Sequence, residues 1–281
     1  ISILLETARI LQSLKDSIKG EIILCFQPAE EIVQGALAMI DDGLFEDYHP
    51  ERVLGLHIWN QLPSGFVGVN DSAVFASADA FSLEIKGRGG HGALPHLNID
   101  PIVAASHIIS NAQTIVSREI SPQDPGVLTF GKIESGFAPN IIPDSVSIEG
   151  TIRAYSQDVR ERIYSSLERI SKLGAESMRS TATTEIMYGA GPVVNEQEVA
   201  SWVRDKAREV LDPSLVGPTE PVSVGDDMAE FLQRIPGVYF LLGASVGNKY
   251  PHHNTRFDFD EKAMINGVKV FLSCTLDFLN N

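Results

Sequence analysis

The sequence predicts an α/β protein that is interrupted by an inserted β-α-β-β-α-β unit. In the first part of the chain, short apolar runs that suit buried strands alternate with amphipathic helices. From about Asp79 the apolar residues recur with period two, as in strands with one buried face. After Pro192 the α/β pattern resumes, so the first and last parts are predicted to be two halves of one domain. The predicted segments are 1–76, 77–190 and 191–281.

The first part is predicted to open with a helix that ends before Gly20, because apolar residues recur there at helical spacing. Three short apolar runs predict buried strands at 21–26, 52–58 and 65–69. A second helix is predicted at 36–42, followed by a glycine. This order is typical of a layered α/β structure.

The inserted unit has the element order of a ferredoxin-like domain. A half-buried strand is predicted at 80–85, and Asp100-Pro101 opens a helix that runs to about Arg118. The elements predicted next are two strands at 127–133 and 145–155, a long helix at 158–178 and a last strand at 183–188. This split βαβ arrangement makes a complete domain by itself. The last part of the chain is predicted to contribute a strand at 238–242 and helices at 196–211, 227–232 and 261–279.

Composition excludes several classes of protein. Of the 281 residues, 22 are Lys or Arg and 37 are Asp or Glu, so the net charge is −15. This balance argues against a nucleic-acid partner, because binding to phosphates needs clustered cations. The hydrophobic fraction of 43% is too high for a disordered chain. No apolar run reaches the roughly 18–20 residues that a membrane span needs.

The cysteine count and the start of the chain give two further expectations. Two cysteines, Cys25 and Cys274, cannot form a disulfide framework, so a reducing cytoplasmic location is expected. The chain opens at Ile1 in the middle of a helical pattern, without a capping residue. We therefore expect the natural polypeptide to continue upstream of this residue.

Two glycine motifs are present, and both lack the context that their chemistry needs. Gly87–Gly92 matches the dinucleotide spacing GxGxxG, but Pro95 follows where the helix should begin. Gly243–Gly247 matches the nucleophile elbow GxSxG around Ser245, but no helix pattern follows it directly. The first is a coincidence of glycines, and the second leaves a serine hydrolase as a less favoured alternative.

Two adjacent carboxylates, Glu30 and Glu31, follow the end of the predicted strand 21–26. Catalytic groups of α/β sheets collect at such strand ends. In an extended stretch neighbouring side chains point in opposite directions, so one carboxylate could bind a metal while the other faces the attacking water. A solvated pair of glutamates in a loop is the simpler alternative, although Gln27-Pro28 restricts the turn before them.

Histidines occur near the ends of two other predicted strands. His57 is the last residue but one of the strand predicted at 52–58, and His253 follows the strand at 238–242 after a short loop. Each alone is more typical of a structural histidine. Together with the two carboxylates, they form the set of nitrogen and oxygen ligands that a hydrolytic divalent-metal site needs, and zinc and manganese would both accept it. His91 lies between glycines in the insertion, where a ligand-binding ring and a histidine in a flexible turn are equally compatible with the sequence.

A set of motifs, spread in order over essentially the whole chain, resembles one known family. The motifs are Phe26-Gln-Pro-Ala-Glu-Glu31, Gly55-Leu-His57, Gly87-Arg-Gly-Gly-His-Gly-Ala-Leu-Pro-His96, Asn140-Ile-Ile-Pro-Asp144, Gly150-Thr-Ile-Arg153 and His253-Asn-Thr-Arg-Phe257. In combination they resemble the amidohydrolase branch of the M20 metallopeptidase superfamily. This branch includes N-acyl-amino-acid amidohydrolases, hippurate hydrolases, auxin-conjugate hydrolases and related carboxypeptidases.

The resemblance implies a metal-binding α/β catalytic domain with an inserted lid domain through which two subunits form a homodimer. It also implies hydrolysis of an amide bond next to a free carboxylate, in N-acyl amino acids or small peptides. The implied cofactor is a divalent metal, two ions per subunit, with Zn or Mn favoured and Co or Ni possible.

The same resemblance implies a role for individual residues. Glu30 resembles the general base of the family, and His91 resembles a lid histidine that reaches a partner subunit's active site and stabilises the tetrahedral intermediate. The remaining implied roles are metal ligation by Glu31, His57 and His253, and substrate binding by Asn140 and Arg153. An arginine suits a substrate carboxylate because its guanidinium is a bidentate donor.

The chain also departs from the family pattern. A Cys-Gly-His-Asp motif and a following histidine, which supply two metal ligands in this branch, would lie just upstream of Ile1. If the natural chain began at Ile1, we would expect poor metal retention and little turnover, and a non-catalytic dimerising remnant would be the alternative function. A smaller departure is Gly225-Asp-Asp227, where Glu-Asp-Phe is common in the family; this departure removes no catalytic group.

Overall fold

The computed structural model describes residues 1–247 and 250–280. The helices are α1 Ser2–Ser13, α2 Gly35–Asp41, α3 Leu44–Asp47, α4 Pro101–Thr114, α5 Gln157–Ser177, α6 Gln197–Val210, α7 Met228–Leu232 and α8 Met264–Asn280. The strands are β1 Val53–Trp59, β2 Val67–Gly68, β3 Ala73–Phe75, β4 Asp79–Lys86, β5 Gly90–His91, β6 Gly126–Ser135, β7 Ile141–Ile142, β8 Ser145–Ala154, β9 Thr181–Met187, β10 Val193–Val194, β11 Val216–Gly217 and β12 Gly237–Gly243.

The chain divides into two compact units. Unit 1 comprises Ile1–Val74, Val193–Val222 and Asp226–Asn281, and unit 2 comprises Phe75–Pro192 and Ser223–Gly225. The domain boundaries that the sequence predicts remain a prediction, since compactness does not measure independent folding.

Unit 1 contains a sheet in the order β1-β12-β2-β11. β1 and β12 are parallel, with His57 opposite Leu241, and β12 pairs antiparallel with β2. Every residue of β12 is buried, as expected of a central strand covered on both faces. Alternate residues of β12 belong to the core of the unit, where Phe240 meets Phe271 of α8 edge to face. This packing gives the candidate site a rigid base.

The prediction of a strand at 21–26 is wrong, because these residues lie outside the strands of the described structure. Their apolar side chains are mostly half-buried, as the pattern indicated. A strand also requires hydrogen bonds to a neighbour, and an apolar run predicts burial without specifying that partner.

Unit 2 has the predicted β-α-β-β-α-β order. Its main sheet is antiparallel with the order β6-β8-β4-β9, which places the first and third strands of the unit in the centre. Side chains of β8 alternate strictly between exposed and buried over most of its length. The buried face packs with residues of α4 and α5 such as Ile108 and Leu167. The predicted fold class, α/β with a ferredoxin-like element order in the insertion, is confirmed.

The ends of α4 follow from its sequence. Asp100 caps the helix by accepting hydrogen bonds from the backbone of Ile102 (2.9 Å) and Val103 (3.4 Å), and Pro101 occupies the first turn. After Thr114 the chain continues as a wider π-type turn at Ile115–Glu119. Within the described residues, no helix is long and apolar enough to cross a membrane.

Candidate active site

His57 lies in β1, two residues before Trp59, at the carboxyl end that α/β proteins use for ligand binding. Its Nδ1 atom is 2.6 Å from the carbonyl oxygen of Ile58. A carbonyl only accepts, so the ring carries its proton on Nδ1 and has its lone pair on Nε2. This is the tautomer that a metal-binding histidine adopts when a carbonyl holds its other nitrogen.

An aromatic cluster surrounds this histidine. The His252 ring lies 5.3 Å from the His57 ring and stacks on Trp59 at 4.6 Å, while its Nε2 atom is 2.8 Å from the same Ile58 carbonyl. The Tyr239 ring lies edge-on to His57 at 6.4 Å. Burial lowers the pKa of His252. This packing restricts the rotation of the His57 ring.

Glu30 and Glu31 begin a single 3-10 turn, Glu30–Ile32. The turn is bounded by two residues in the left-handed region, Ala29 (φ 55°) and Val33 (φ 56°). This conformation is uncommon for alanine and a genuine outlier for a β-branched residue. Such backbone persists only where surrounding contacts hold it, and it concentrates at functional sites.

The Glu30 side chain is half-buried and faces two buried acids. Oxygen atoms of Glu30, Asp226 and Asp227 lie within 4.8 Å of one another. Burial, together with the negative charges of Asp226, Glu31 and Asp227, raises the pKa of Glu30 to about 7. A cation beside this carboxylate would favour its ionised form and act in the opposite direction.

Asp226 and Asp227 are the residues that the sequence analysis missed. Asp226 accepts hydrogen bonds from the Tyr239 hydroxyl and the Met228 backbone, both 2.8 Å long. Burial raises the pKa of Asp226, although these bonds and the nearby His57 oppose that effect. Burial also raises the pKa of Tyr239, so its hydroxyl is a donor. The signal in the sequence was the pair of adjacent acids next to apolar residues.

Glu31 and His253 are brought together. His253 Nδ1 lies 3.6 Å from Glu31 Oε2, and both side chains are about three-quarters exposed. Two ligands of one tetrahedral zinc ion, each about 2.0–2.1 Å from the metal, are about 3.4 Å apart. The observed spacing is therefore close to that of two ligands of one ion. The Glu31 oxygen and the His253 nitrogen are both donor atoms of the kind that a divalent metal such as zinc accepts.

The predicted residues His91 and Asn140 lie together in unit 2. His91 in β5 pairs with Ile141 in β7, and the neighbouring Gly92 donates a 2.9 Å hydrogen bond to the Asn140 carbonyl. His91 Nδ1 accepts a 3.1 Å bond from the Ala93 backbone, which places the proton of the neutral ring on Nε2. Gly90, the residue before His91, permits the close approach of the Asn98 side chain, because a Cβ on Gly90 would lie 2.3 Å from Asn98 Oδ1.

Arg153 lies in β8 of the main sheet, whereas β5 and β7 form a separate two-stranded sheet. The Nη1 atom of Arg153 donates to the carbonyl oxygen of Asp79 (3.2 Å), the first residue of β4, and to that of Ile152 (2.9 Å) in β8. Lys86, at the other end of β4, pairs with Ser145, close to β7. Eight residues of strand separate Ser145 from Arg153, about 26 Å at 3.3 Å per residue.

Ser245 does not have the surroundings of a nucleophile elbow. Its hydroxyl accepts a 3.2 Å hydrogen bond from the Gly247 backbone, and residues 244–247 lie outside any helix. A nucleophile elbow requires the serine at a tight strand-to-helix turn. The described geometry therefore gives the serine-hydrolase alternative no support.

The fold and the site define a class: two-unit α/β proteins with clustered carboxylate and imidazole side chains and a ferredoxin-like insertion. The chain belongs to peptidase family M20/M25/M40, whose profile matches residues 1–277.

The relatives of the chain include a deacetylase and a carboxypeptidase. It is 36% identical over 266 residues to the N-acetyl-L-cysteine deacetylase of Bacillus subtilis (strain 168), an alignment of 93% of this chain and 62% of that enzyme. The chain thus spans less than two thirds of the length of that relative. It is also 36% identical over 287 residues to thermostable carboxypeptidase 2 of Saccharolobus solfataricus, covering 100% of this chain and 72% of that protein.

A crystal structure with the same fold is that of the Bacillus subtilis protein YXEP, described as a dinuclear metal-binding peptidase of family M20. The TM-score is 0.83 at 26% identity, over 99% of this chain and 70% of that one.

Proposed function

We propose that this protein is a metal-dependent hydrolase that cleaves the amide bond of N-acyl amino acids or small peptides. The observation that carries the proposal is the placement of the Glu31 carboxylate 3.6 Å from the His253 imidazole, with Glu30 as the preceding residue. The residue suited to proton transfer is thus adjacent in sequence to one of two groups suited to bind a metal, which supports the proposal. The family and the named deacetylase and carboxypeptidase relatives support the same chemistry.

The proposal assigns Glu31, His57 and His253 to metal binding, with two ions per subunit. Zinc and manganese suit this set best, and cobalt or nickel would also be accepted, because coordination geometry and not ligand type separates these metals here. The bound ion supplies Lewis acidity, which polarises the scissile carbonyl and makes a water molecule acidic. The dinuclear family member from Bacillus subtilis supports this cofactor class.

Glu30 is assigned to proton transfer. Its carboxylate takes a proton from the attacking water as the oxygen adds to the carbonyl carbon. It then delivers that proton to the leaving nitrogen as the C–N bond breaks, which releases a carboxylic acid and a free amine. A half-buried carboxyl with a raised pKa suits both steps, since the same group must accept and donate near neutral pH.

His91 and Asn140 are assigned to the substrate carbonyl, and Arg153 to the substrate carboxylate. The Nε2–H of His91 is a donor for the developing oxyanion, an interaction worth about 3–4 kcal/mol where single donors have been removed. Arg153 lies about 26 Å of strand from Ser145, at the end of β8 remote from the β5–β7 pair, which favours a scheme in which His91 and Arg153 of one copy serve different active sites. The proposal therefore places His91 in the active site of a partner subunit, in a homodimer formed through unit 2.

The cysteines agree with a cytoplasmic location, which we also propose. Cys25 and Cys274 are free thiols in the described structure, as a reducing compartment maintains them.

The test is metal content and hydrolysis measured on the full-length protein. Elemental analysis before and after chelator should find about two ions per subunit, and turnover of N-acetyl amino acids should stop with the chelator and return with Zn²⁺ or Mn²⁺. Protein without metal and without activity after metal addition would contradict the proposal. Chelator-resistant activity that Ser245→Ala abolishes would favour the serine hydrolase.

A further inference from the structure

The backbone turn that carries Glu30 and Glu31 has few internal hydrogen bonds that would stabilise its conformation. Inside the turn, the Val33 backbone donates a 2.7 Å hydrogen bond to the Glu30 carbonyl, and Gln34 donates a long 3.4 Å bond to Ala29. Both flanking residues have a left-handed conformation that side-chain-bearing residues disfavour. Glu31 itself is exposed. The turn therefore depends on contacts from outside it.

Asp227 supplies such contacts at both ends of the turn. Its Oδ1 atom accepts a 2.5 Å hydrogen bond from Gln27 Nε2, and its Oδ2 atom accepts a 2.9 Å bond from the backbone of Ala36. Gln27 precedes the two glutamates and Ala36 follows them. A single carboxylate thus joins the two ends of the segment, and its side chain is completely buried.

Asp227 is itself held by a rigid part of unit 1. It immediately precedes α7, and its carbonyl accepts a 2.9 Å bond from the Glu230 backbone. The neighbouring Asp226 is bonded to the hydroxyl of Tyr239, which lies in the central strand β12. A side chain anchored in this way can fix the position of the segment that it binds.

We propose that Asp227 is the positioning residue for Glu30 and Glu31, holding their turn through paired hydrogen bonds to Gln27 and Ala36. This inference rests on the function proposed above, because it concerns how the assigned base and metal ligand are placed. Both Asp227 oxygens face N–H donors, which is the arrangement of an acceptor that organises backbone. Asp226 is bonded to Tyr239 and Met228 instead, so the two adjacent acids act differently.

The experiment compares Asp227→Leu with Asp227→Asn in the full-length protein. Leucine has a similar size but accepts no hydrogen bond. An asparagine side chain can accept from Ala36 through its oxygen and donate to Gln27 once that amide turns over. The control is Asp212→Ala, which removes a carboxylate that likewise accepts from one backbone and one side-chain donor, both in Ser214.

Hydrogen–deuterium exchange of residues 27–36 is the first measurement. Asp227→Leu should accelerate exchange there at least tenfold, whereas Asp227→Asn and Asp212→Ala should stay within threefold of the wild type. In saturating Mn²⁺, Asp227→Leu should lower kcat at least thirtyfold while KM stays within threefold of the wild-type value. Asp227→Asn should have most of the wild-type kcat. If Asp227→Leu fails to fold, Gln27→Met removes one of the two hydrogen bonds to Asp227. It should change the exchange rate and kcat in the same direction but by smaller factors.

Equal exchange and equal kcat in Asp227→Leu and Asp212→Ala would overturn the inference. So would an Asp227→Asn variant as impaired as Asp227→Leu, because charge and not hydrogen bonding would then be responsible. A wild-type protein that hydrolyses no amide would contradict the proposed function, while the exchange measurement would still decide whether Asp227 holds the turn.

Discussion

The backbone N–H of Ala93 donates a 3.1 Å hydrogen bond to Nδ1 of His91, and this bond fixes the tautomer of the ring. His57 has the opposite arrangement, since its Nδ1 faces the carbonyl of Ile58 at 2.6 Å. Neutral His91 therefore presents an N–H at Nε2, whereas His57 presents a lone pair there. The two local backbones thus leave a hydrogen-bond donor at Nε2 of one histidine and an acceptor at Nε2 of the other.

Replacing His91 by alanine should lower kcat by a factor of about 10²–10³, because one donor to the developing oxyanion is lost. Metal content and thermal stability should stay unchanged, since the side chain is exposed. His96→Ala is the matched control, as His96 is also an exposed histidine of the glycine-rich segment. Steady-state kinetics on an N-acetyl amino acid would reveal the difference, and equal rates for both variants would refute the assignment.

The adjacent glutamates should give opposite phenotypes. Glu30→Gln should reduce kcat by a factor of about 10²–10⁴ while the metal remains bound, because a proton-transfer group is lost. Glu31→Gln should instead weaken metal binding by more than the roughly 10–100-fold that the loss of an outer-sphere partner costs. Each variant serves as the control for the other. Metal titration and kinetics on both would contradict the scheme if Glu30→Gln lost metal while Glu31→Gln retained it.

The sequence predicts unit 2 better than the site in unit 1, for a physical reason. Alternation along β8 and helical spacing along α5 are local patterns, and the structure reproduces both. Asp227 bonds to Gln27 and Ala36 across separations of 200 and 191 residues, which no local pattern encodes. The strand predicted at 21–26 failed likewise, because pairing depends on a distant partner. Glu30 and Glu31 could be proposed because the end of an apolar run and the motif at 26–31 are themselves local signals.

Gly35→Ala should disturb the glutamate turn. A Cβ at this position would lie 1.6 Å from the carbonyl oxygen of Pro28, so the segment before α2 would have to open. Since the opening displaces Glu30 and Glu31, we expect weaker metal binding and a lower kcat. Gly131→Ala is the control, because a Cβ there would lie 3.9 Å from the Glu149 carbonyl oxygen, an ordinary van der Waals contact. Metal titration would contradict the prediction if both variants bound as the wild type does.

The buried ion pair of unit 2 should make the stability of the protein depend on pH in the acidic range. Arg160 Nη2 donates a 2.6 Å bond to Asp79 Oδ1, and both side chains are buried. Burial alone would raise the pKa of Asp79, but hydrogen bonds and the charge of Arg160 bring it below its ordinary value. A carboxyl with a depressed folded-state pKa stabilises the protein above its unfolded pKa of about 3.9, and this stabilisation disappears as the pH falls through the folded value.

Asp79→Asn should therefore cost about 3–5 kcal/mol of unfolding free energy at pH 7, because it leaves the Arg160 guanidinium buried without its counter-charge. The double replacement Asp79→Leu with Arg160→Met should recover much of that loss, since a well-packed apolar pair can substitute for a buried ion pair. Urea unfolding at pH 7 and pH 3 measures both effects. The wild type should lose more stability between these pH values than the double variant, which has no carboxylate at this position to protonate. An equal loss in the two proteins would mean that other carboxylates dominate the acid response.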